Sequence, residues 1–223
     1  MIRVTLERPW LEARLPRPMR ALSWAPVGGG TTMTDRVLWR EVRNADLTPD
    51  FDALGWFEAE MALRAPGAVG LMTSRDIGGW HEAVAQVEGI RAHALATAGL
   101  SNAEAVGRRL PWHSADYGTI NLLVAVEGGL TDTAQLEALS VAVQARTAAV
   151  MEGGLQLATG LATGTGTDCV VLACDPGRIR HAGLHTAVGE AVGAAARAAM
   201  TRATADWLAW RAAKRQERDI HDV

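Results

Sequence analysis

Residues 118–174 limit the possible folds of this chain more than any other stretch. They read GTINLLVAVEGGL, then TDTAQLEALSVAVQARTAAVMEGG, then LQLATGLATGTGTDCVVLACD. The apolar run at 120–126 suits a buried strand, the middle block a helix, and 169–173 a second strand. Thr131 or Asp132 can cap the helix, Asp132 with Gln135 at capping-box spacing. Leu136, Leu139, Val143 and Val150 form its apolar stripe, and Gly153 with Gly154 ends it. Polar residues stand where the strands begin: Thr119 and Asn121 at the first, Thr167 and Asp168 at the second. In such a unit the core makes the frame and the loop ends carry chemistry.

The rest of the chain is expected to add strands first and a helix last. Residues 2–7 alternate as a strand. Pro16 and Pro18 interrupt the next segment, so a strand is expected to resume only at Ala21. It runs into Gly28, Gly29 and Gly30, which free the backbone for positive φ and for close approach of a ligand. Strands follow at 37–42 and 67–73, around a helix over 49–64 capped by Thr48 or Asp50. Two alternating runs, 82–88 and 90–98, meet at Gly89 as a hairpin or a bulged strand. Residues 104–117 look irregular, and His113 among them reads as a loop histidine. A long alanine-rich helix is expected over about 186–218. Early strands and a late β-α-β-α order predict an α/β (α+β) fold, one domain with a mixed sheet packed against long helices.

Charge and cysteine usage narrow the partners. A net charge of −3 gives no reason to expect nucleic acid or an anionic membrane. No apolar run approaches the roughly 18 residues of a membrane span, and the charged, proline-broken start does not read as a secretory signal. Cys169 and Cys174, the two cysteines, are expected on opposite faces of one strand, where they cannot bridge. That fits a reduced, cytoplasmic protein. His181 and His185 lack a third ligand nearby, so no metal is implied. No G-x-S-x-G elbow occurs, and no lysine follows GTGTD as a phosphate loop requires. The residues alone point to polar, glycine-rich loops gathering at one end of a mixed sheet to bind a small molecule.

Seven motifs, in order, take the reading further: SWAPVGGG (23–30), GLMTS (70–74), TAGLSNA (97–103), GTIN (118–121), QART (144–147), GTGTD (164–168) and HAGLHTAVGE (181–190). This succession, over roughly residues 18–200, resembles the adenosylcobinamide amidohydrolases. The resemblance implies hydrolysis of the amide joining aminopropanol to a corrin side chain, giving adenosylcobyric acid and 1-amino-2-propanol in cobamide salvage and remodelling. Complete cobamides such as pseudocobalamin are also implied as substrates of some members. No cofactor is firmly implied beyond the cobalt of the substrate itself, and the reading leaves room for a homodimer. Where the family pattern reads T-E-A-K-T, this chain carries Gln144 and Arg146; arginine keeps the charge, but Gln144 cannot act as a carboxylate base.

Amide hydrolysis needs an activated water or nucleophile, donors for the tetrahedral oxyanion and an acid for the leaving amine. Asp168 is the first candidate base, followed by Glu190 and His185. Asn121, Asn102 and the backbone N–H groups of 164–167 are candidate oxyanion donors. Thr119, Thr147 and Thr167 could serve as nucleophiles. Substrate contacts are expected from Ser23, Gly28, Gly29, Gly30, Thr73, Ser101, Asn102, Gln144, Arg146, Thr147, Gly164, Gly166, His181 and Thr186. Two other readings stay open: a corrinoid-binding protein without catalysis, and an amidohydrolase of another secondary amide.

Overall fold

A computed structural model describes every residue except 44, 46, 49, 110, 112–117 and 222–223. The His113 expectation therefore lies outside the described residues. Strands β1 (Arg3–Glu7) and β2 (Trp10–Ser23) form an antiparallel hairpin with Glu7 opposite Trp10. β2 is one long strand and does not wait for Ala21 to begin. Pro16 and Pro18 fall between Arg14 and Met19, where the register with β3 (Gly30–Glu41) shifts. Along the other edge of β2, β1 pairs up to Arg14, and β12 (Cys169–Pro176) takes over from Arg20. The missing proline N–H groups thus sit at a handover and interrupt no ladder.

Helix α1 spans Ala53–Arg64, and Asp52 caps it by accepting from the Gly55 N–H at 2.9 Å. The expected caps Thr48 and Asp50 are not used, because Asp52 is the carboxylate that reaches a free amide of the first turn. Phe57 and Met61 bury their side chains with Trp10 and Leu38. β4 (Val69–Thr73) then pairs parallel to β3. Gly70 in β4 must be small, since a Cβ there would stand 2.9 Å from the Phe57 ring. The next two strands, β5 (His81–Val87) and β6 (Ile90–Ala98), are the expected hairpin. Its turn has positive φ at Glu88 (46°) and Gly89 (85°), the twist-matched hairpin conformation.

Short β7 (Ala103–Glu104) precedes β8 (Ile120–Leu130) and α2 (Asp132–Glu152), whose cap is Thr131, accepting from Ala134 N–H. Three more two-residue strands follow: β9 (Gln156–Leu157), β10 (Gly160–Leu161) and β11 (Gly164–Thr165), the last pairing with β7. β12 then returns parallel to β8, and α3 (Ala187–His221) closes the chain. The β8–α2–β12 unit is the one read from the sequence, but of the expected stripe only Val150 is fully buried. Helix α2 turns Ala138, Val141, Ala142 and Ala145 inward, where small side chains let α3 approach, and leaves Leu136 exposed. The large mixed sheet runs β4-β3-β2-β12-β8-β6-β5, with β1 beside β2.

Its two faces hold different cores. Outward residues of β6, β8 and β12, such as Leu122, Val124 and Val170, pack beneath α2 and α3. Those helices bury mainly alanines, including Ala138, Ala142, Ala195 and Ala199, and can therefore lie close together. Inward residues, among them Leu11, Met19, Trp39, Leu71, Leu123 and Val171, fill the inside of the sheet. Cys169 faces this inner core and Cys174 the outer one, and both are free thiols, as the strand alternation required. The sheet rolls until β4 approaches β8. Gly70 N–H donates to Val27 O at 3.0 Å, and Asn121 Nδ2 donates to Met72 O at 3.1 Å. Among the described residues no helix is long and apolar enough to cross a membrane.

Candidate active site

The roll leaves an opening where the end of β4 meets the starts of β8 and β12. A cavity of about 630 Å³ occupies it, lined by Met72, Thr73 and Ser74 from one side and Thr119, Gly166, Thr167, Asp168 and Cys169 from the other. Trp24, Pro26, Val42, Leu47, Thr48, Phe51 and Ala53 complete the walls. The floor is a polar cluster built on the two strand starts. Thr167 Oγ1 lies 2.9 Å from Thr119 Oγ1 and donates to Gly118 O at 2.9 Å. Asn102 Nδ2 donates to the same Thr167 oxygen at 3.4 Å.

Beside this pair the Asp168 carboxylate is tied down. It accepts from Thr165 N–H at 3.0 Å and Ile120 N–H at 3.3 Å, and also from the Thr165 hydroxyl and the Arg146 guanidinium. The two charged side chains are only 12% (Arg146) and 7% (Asp168) exposed. Desolvation lowers the Arg146 pKa from its ordinary value, yet arginine starts so high that the cation persists. Gly164 makes the pairing possible, because a Cβ there would lie 2.4 Å from Arg146 Nη1 and 2.5 Å from Asp168 Oδ2. Cys169 also lines the cavity, but burial pushes its thiol up to about 11, so it offers no thiolate at neutral pH.

Behind the floor, Thr97, Asn121 and Cys169 stand opposite one another across β6, β8 and β12. Thr97 Oγ1, Asn121 Oδ1 and Asn102 Oδ1 are buried without a hydrogen-bond partner. Each of these atoms is buried without the compensation that buried polar groups ordinarily have.

The sequence model of the family described as adenosylcobinamide amidohydrolase matches residues 1–212. The chain belongs to that family. A curated adenosylcobinamide amidohydrolase of Halobacterium salinarum is 40% identical over 119 residues, covering 50% of this chain and 48% of that relative. The match therefore spans about half the length of the relative. A crystal structure of a Pyrococcus horikoshii OT3 protein aligns with a TM-score of 0.42 at 11% identity, over 87% of this chain and 76% of that one.

The motifs that mark an adenosylcobinamide amidohydrolase sort into two groups in space. GTIN, GTGTD and GLMTS deliver Thr119, Gly166, Thr167, Asp168, Thr73 and Ser74 to the cavity. Asn102, Asn121, Arg146 and Gly164 support them from behind. Ser23 is buried next to the rim and accepts from Ala25 N–H at 3.3 Å. Gly28, Gly29 and Gly30 make the turn between β2 and β3, where a Gly28 Cβ would stand 3.0 Å from Ala68 O. They do not line the cavity, and neither does Ser101, whose backbone N–H packs against Gly118.

The last motif serves the start of α3. Thr186 Oγ1 accepts from Gly189 N–H at 3.0 Å and donates to Gly183 O at 2.8 Å. His181, His185 and Glu190 are exposed there, and Thr147 is half-buried on α2. Gln144 and Glu190 share a groove between α2 and α3 with Leu184 and Arg197. Gln144 therefore does not line the cavity. Among the described residues no three His, Cys, Asp or Glu side chains gather as a metal-binding group. Sequence reasoning did not single out Trp24, Phe51, Met72 or Cys169. Trp24 and Met72 do lie within the motifs SWAPVGGG and GLMTS, and Cys169 directly follows GTGTD.

Proposed function

We propose that this chain hydrolyses the amide between aminopropanol and the corrin side chain of adenosylcobinamide, giving adenosylcobyric acid and 1-amino-2-propanol. Family membership over nearly the whole chain supports this reading. The observation that carries it to a site is the Thr119–Thr167 hydroxyl pair on the floor of a cavity beside Asp168. A cavity of about 630 Å³ suits a drug-sized group. It admits the aminopropanol arm and leaves the macrocycle at the mouth.

In this mechanism water adds to the amide carbonyl, which rests against the threonine hydroxyls and the 164–168 turn. Their hydrogen bonds strengthen as the oxyanion forms, and its collapse breaks the C–N bond while a proton from the water leaves with the amine. The Thr167 hydroxyl donates to Gly118 O in the resting site and turns to the substrate oxygen as the oxyanion forms, and Thr119 donates to Thr167 or to substrate. Asp168 already accepts four donors, which fill the lone-pair directions of a carboxylate. That occupancy favours a positioning role over proton abstraction: Asp168 and Arg146 hold the turn on which Thr167 stands. A net charge of −3 and two free buried thiols suit a small-molecule enzyme of a reducing compartment.

Incubating the protein with adenosylcobinamide and separating the corrinoids by chromatography tests the assignment. Appearance of adenosylcobyric acid is expected. Binding without product would make the chain a corrinoid carrier, and neither binding nor product would direct the search to another amide.

A further inference from the structure

Trp24 is an unusual wall for a polar site. Its indole is 46% exposed at the cavity mouth, and its Nε1–H donates to the Asp168 carbonyl oxygen. The hydrogen bond holds the ring by its edge, so its polar handle is satisfied while ring surface stays open to solvent. Phe51 lines the same cavity, 39% exposed and tilted against Trp56 at a centroid distance of 5.8 Å. Large apolar surfaces left uncovered beside a cavity mark a place where a ligand completes the packing.

We infer that Trp24, with Phe51 lining the same cavity, binds an extended conjugated face of the substrate that stays outside the cavity while the scissile arm enters it. This rests on the corrinoid reading above. The shared chemistry is a flat, polarisable surface, supplied either by the corrin ring or by the adenine of the upper ligand. The cavity cannot enclose a whole corrinoid, so the bulk of such a substrate must lie against the rim. Trp24 is then a specificity determinant: it sets the affinity for the large group and touches the reacting amide only through the Asp168 turn.

The test compares wild type, Trp24→Ala and Trp24→Phe on adenosylcobinamide and on cobinamide lacking the adenosyl ligand. Trp24→Ala is expected to raise KM about tenfold, in keeping with the loss of one aromatic stacking platform, while kcat changes far less. Trp24→Phe keeps a ring face but loses the Nε1 bond, and most of the affinity should return. An effect on both substrates assigns the contact to the corrin, and an effect on the adenosylated one alone assigns it to adenine. Unchanged KM in Trp24→Ala, or a Phe variant as poor as the Ala variant, overturns the inference. Wild-type inactivity toward both corrinoids would instead remove the reading on which it rests.

Discussion

Arg146 and Asp168 form a buried ion pair that organises the 164–168 turn. Each would be costly alone in its surroundings, and each is neutralised by the other. Asp168 also accepts from the Thr165 N–H of the 164–168 turn, while Arg146 Nε is buried without a partner. Replacing Arg146 by Met leaves the carboxylate buried without its cation. The expected loss is about 3 kcal/mol of unfolding free energy, measured by urea titration, together with a fall in turnover. The double variant Arg146→Met, Asp168→Asn should recover part of that stability, and strict additivity would argue against direct coupling. Cys169 gives a second check. Its thiol pKa is 9.0 when unperturbed and about 11 in the fold, so between those values only the unfolded chain ionises. Stability should fall across that window by about 3 kcal/mol, and Cys169→Ala should flatten the decline. At this scale the sequence pointed to Thr119, Thr167 and Asp168 through their motifs, but it could not separate a base from an anchor. That distinction depends on how many donors surround one carboxylate, which is a property of contacts and not of spacing.

Elements differ in how openly the sequence declares them. The 81–98 hairpin and the β8–α2–β12 unit follow from alternation, Gly89 and a capped amphipathic block, all local signals. β2 was hidden because prolines normally end a central strand. They are tolerated here because pairing passes from β1 to β12 at that point, a long-range fact. The motif HAGLHTAVGE builds the entrance to α3, which the alanine-rich pattern placed at about residue 186 and the structure places at Ala187. A Cβ on Gly189 would come within 2.1 Å of Gly183 O, a backbone atom that cannot move aside. Gly189→Ala is therefore expected to destabilise the protein by about 2 kcal/mol through overpacking, seen as a lower melting temperature. The KM of the folded fraction should stay near wild type, since this segment lies apart from the cavity. A raised KM with unchanged melting temperature would give the segment a direct part in substrate binding.

Across the whole molecule, the rolled sheet explains why a site forms where it does. Two parallel strands begin side by side, the far edge strand β4 folds over towards them, and the gap between is lined by strand ends with their polar loops. Alternation identified the strands, yet nothing in a single sequence revealed the roll, because it depends on Val27 meeting Gly70 and Asn121 meeting Met72. It also removed the glycine-rich turn and Gln144 from the expected cavity walls. The central claim is that this cavity cleaves the corrin-arm amide with the help of its threonine pair. The most direct measurement is release of 1-amino-2-propanol from adenosylcobinamide by wild type and by Thr167→Val, with corrinoid binding followed in parallel. The account predicts turnover by wild type and a loss of about a hundredfold in kcat for the variant, with binding largely kept. Full turnover by Thr167→Val, or no product from a wild-type protein that binds the substrate, would contradict it.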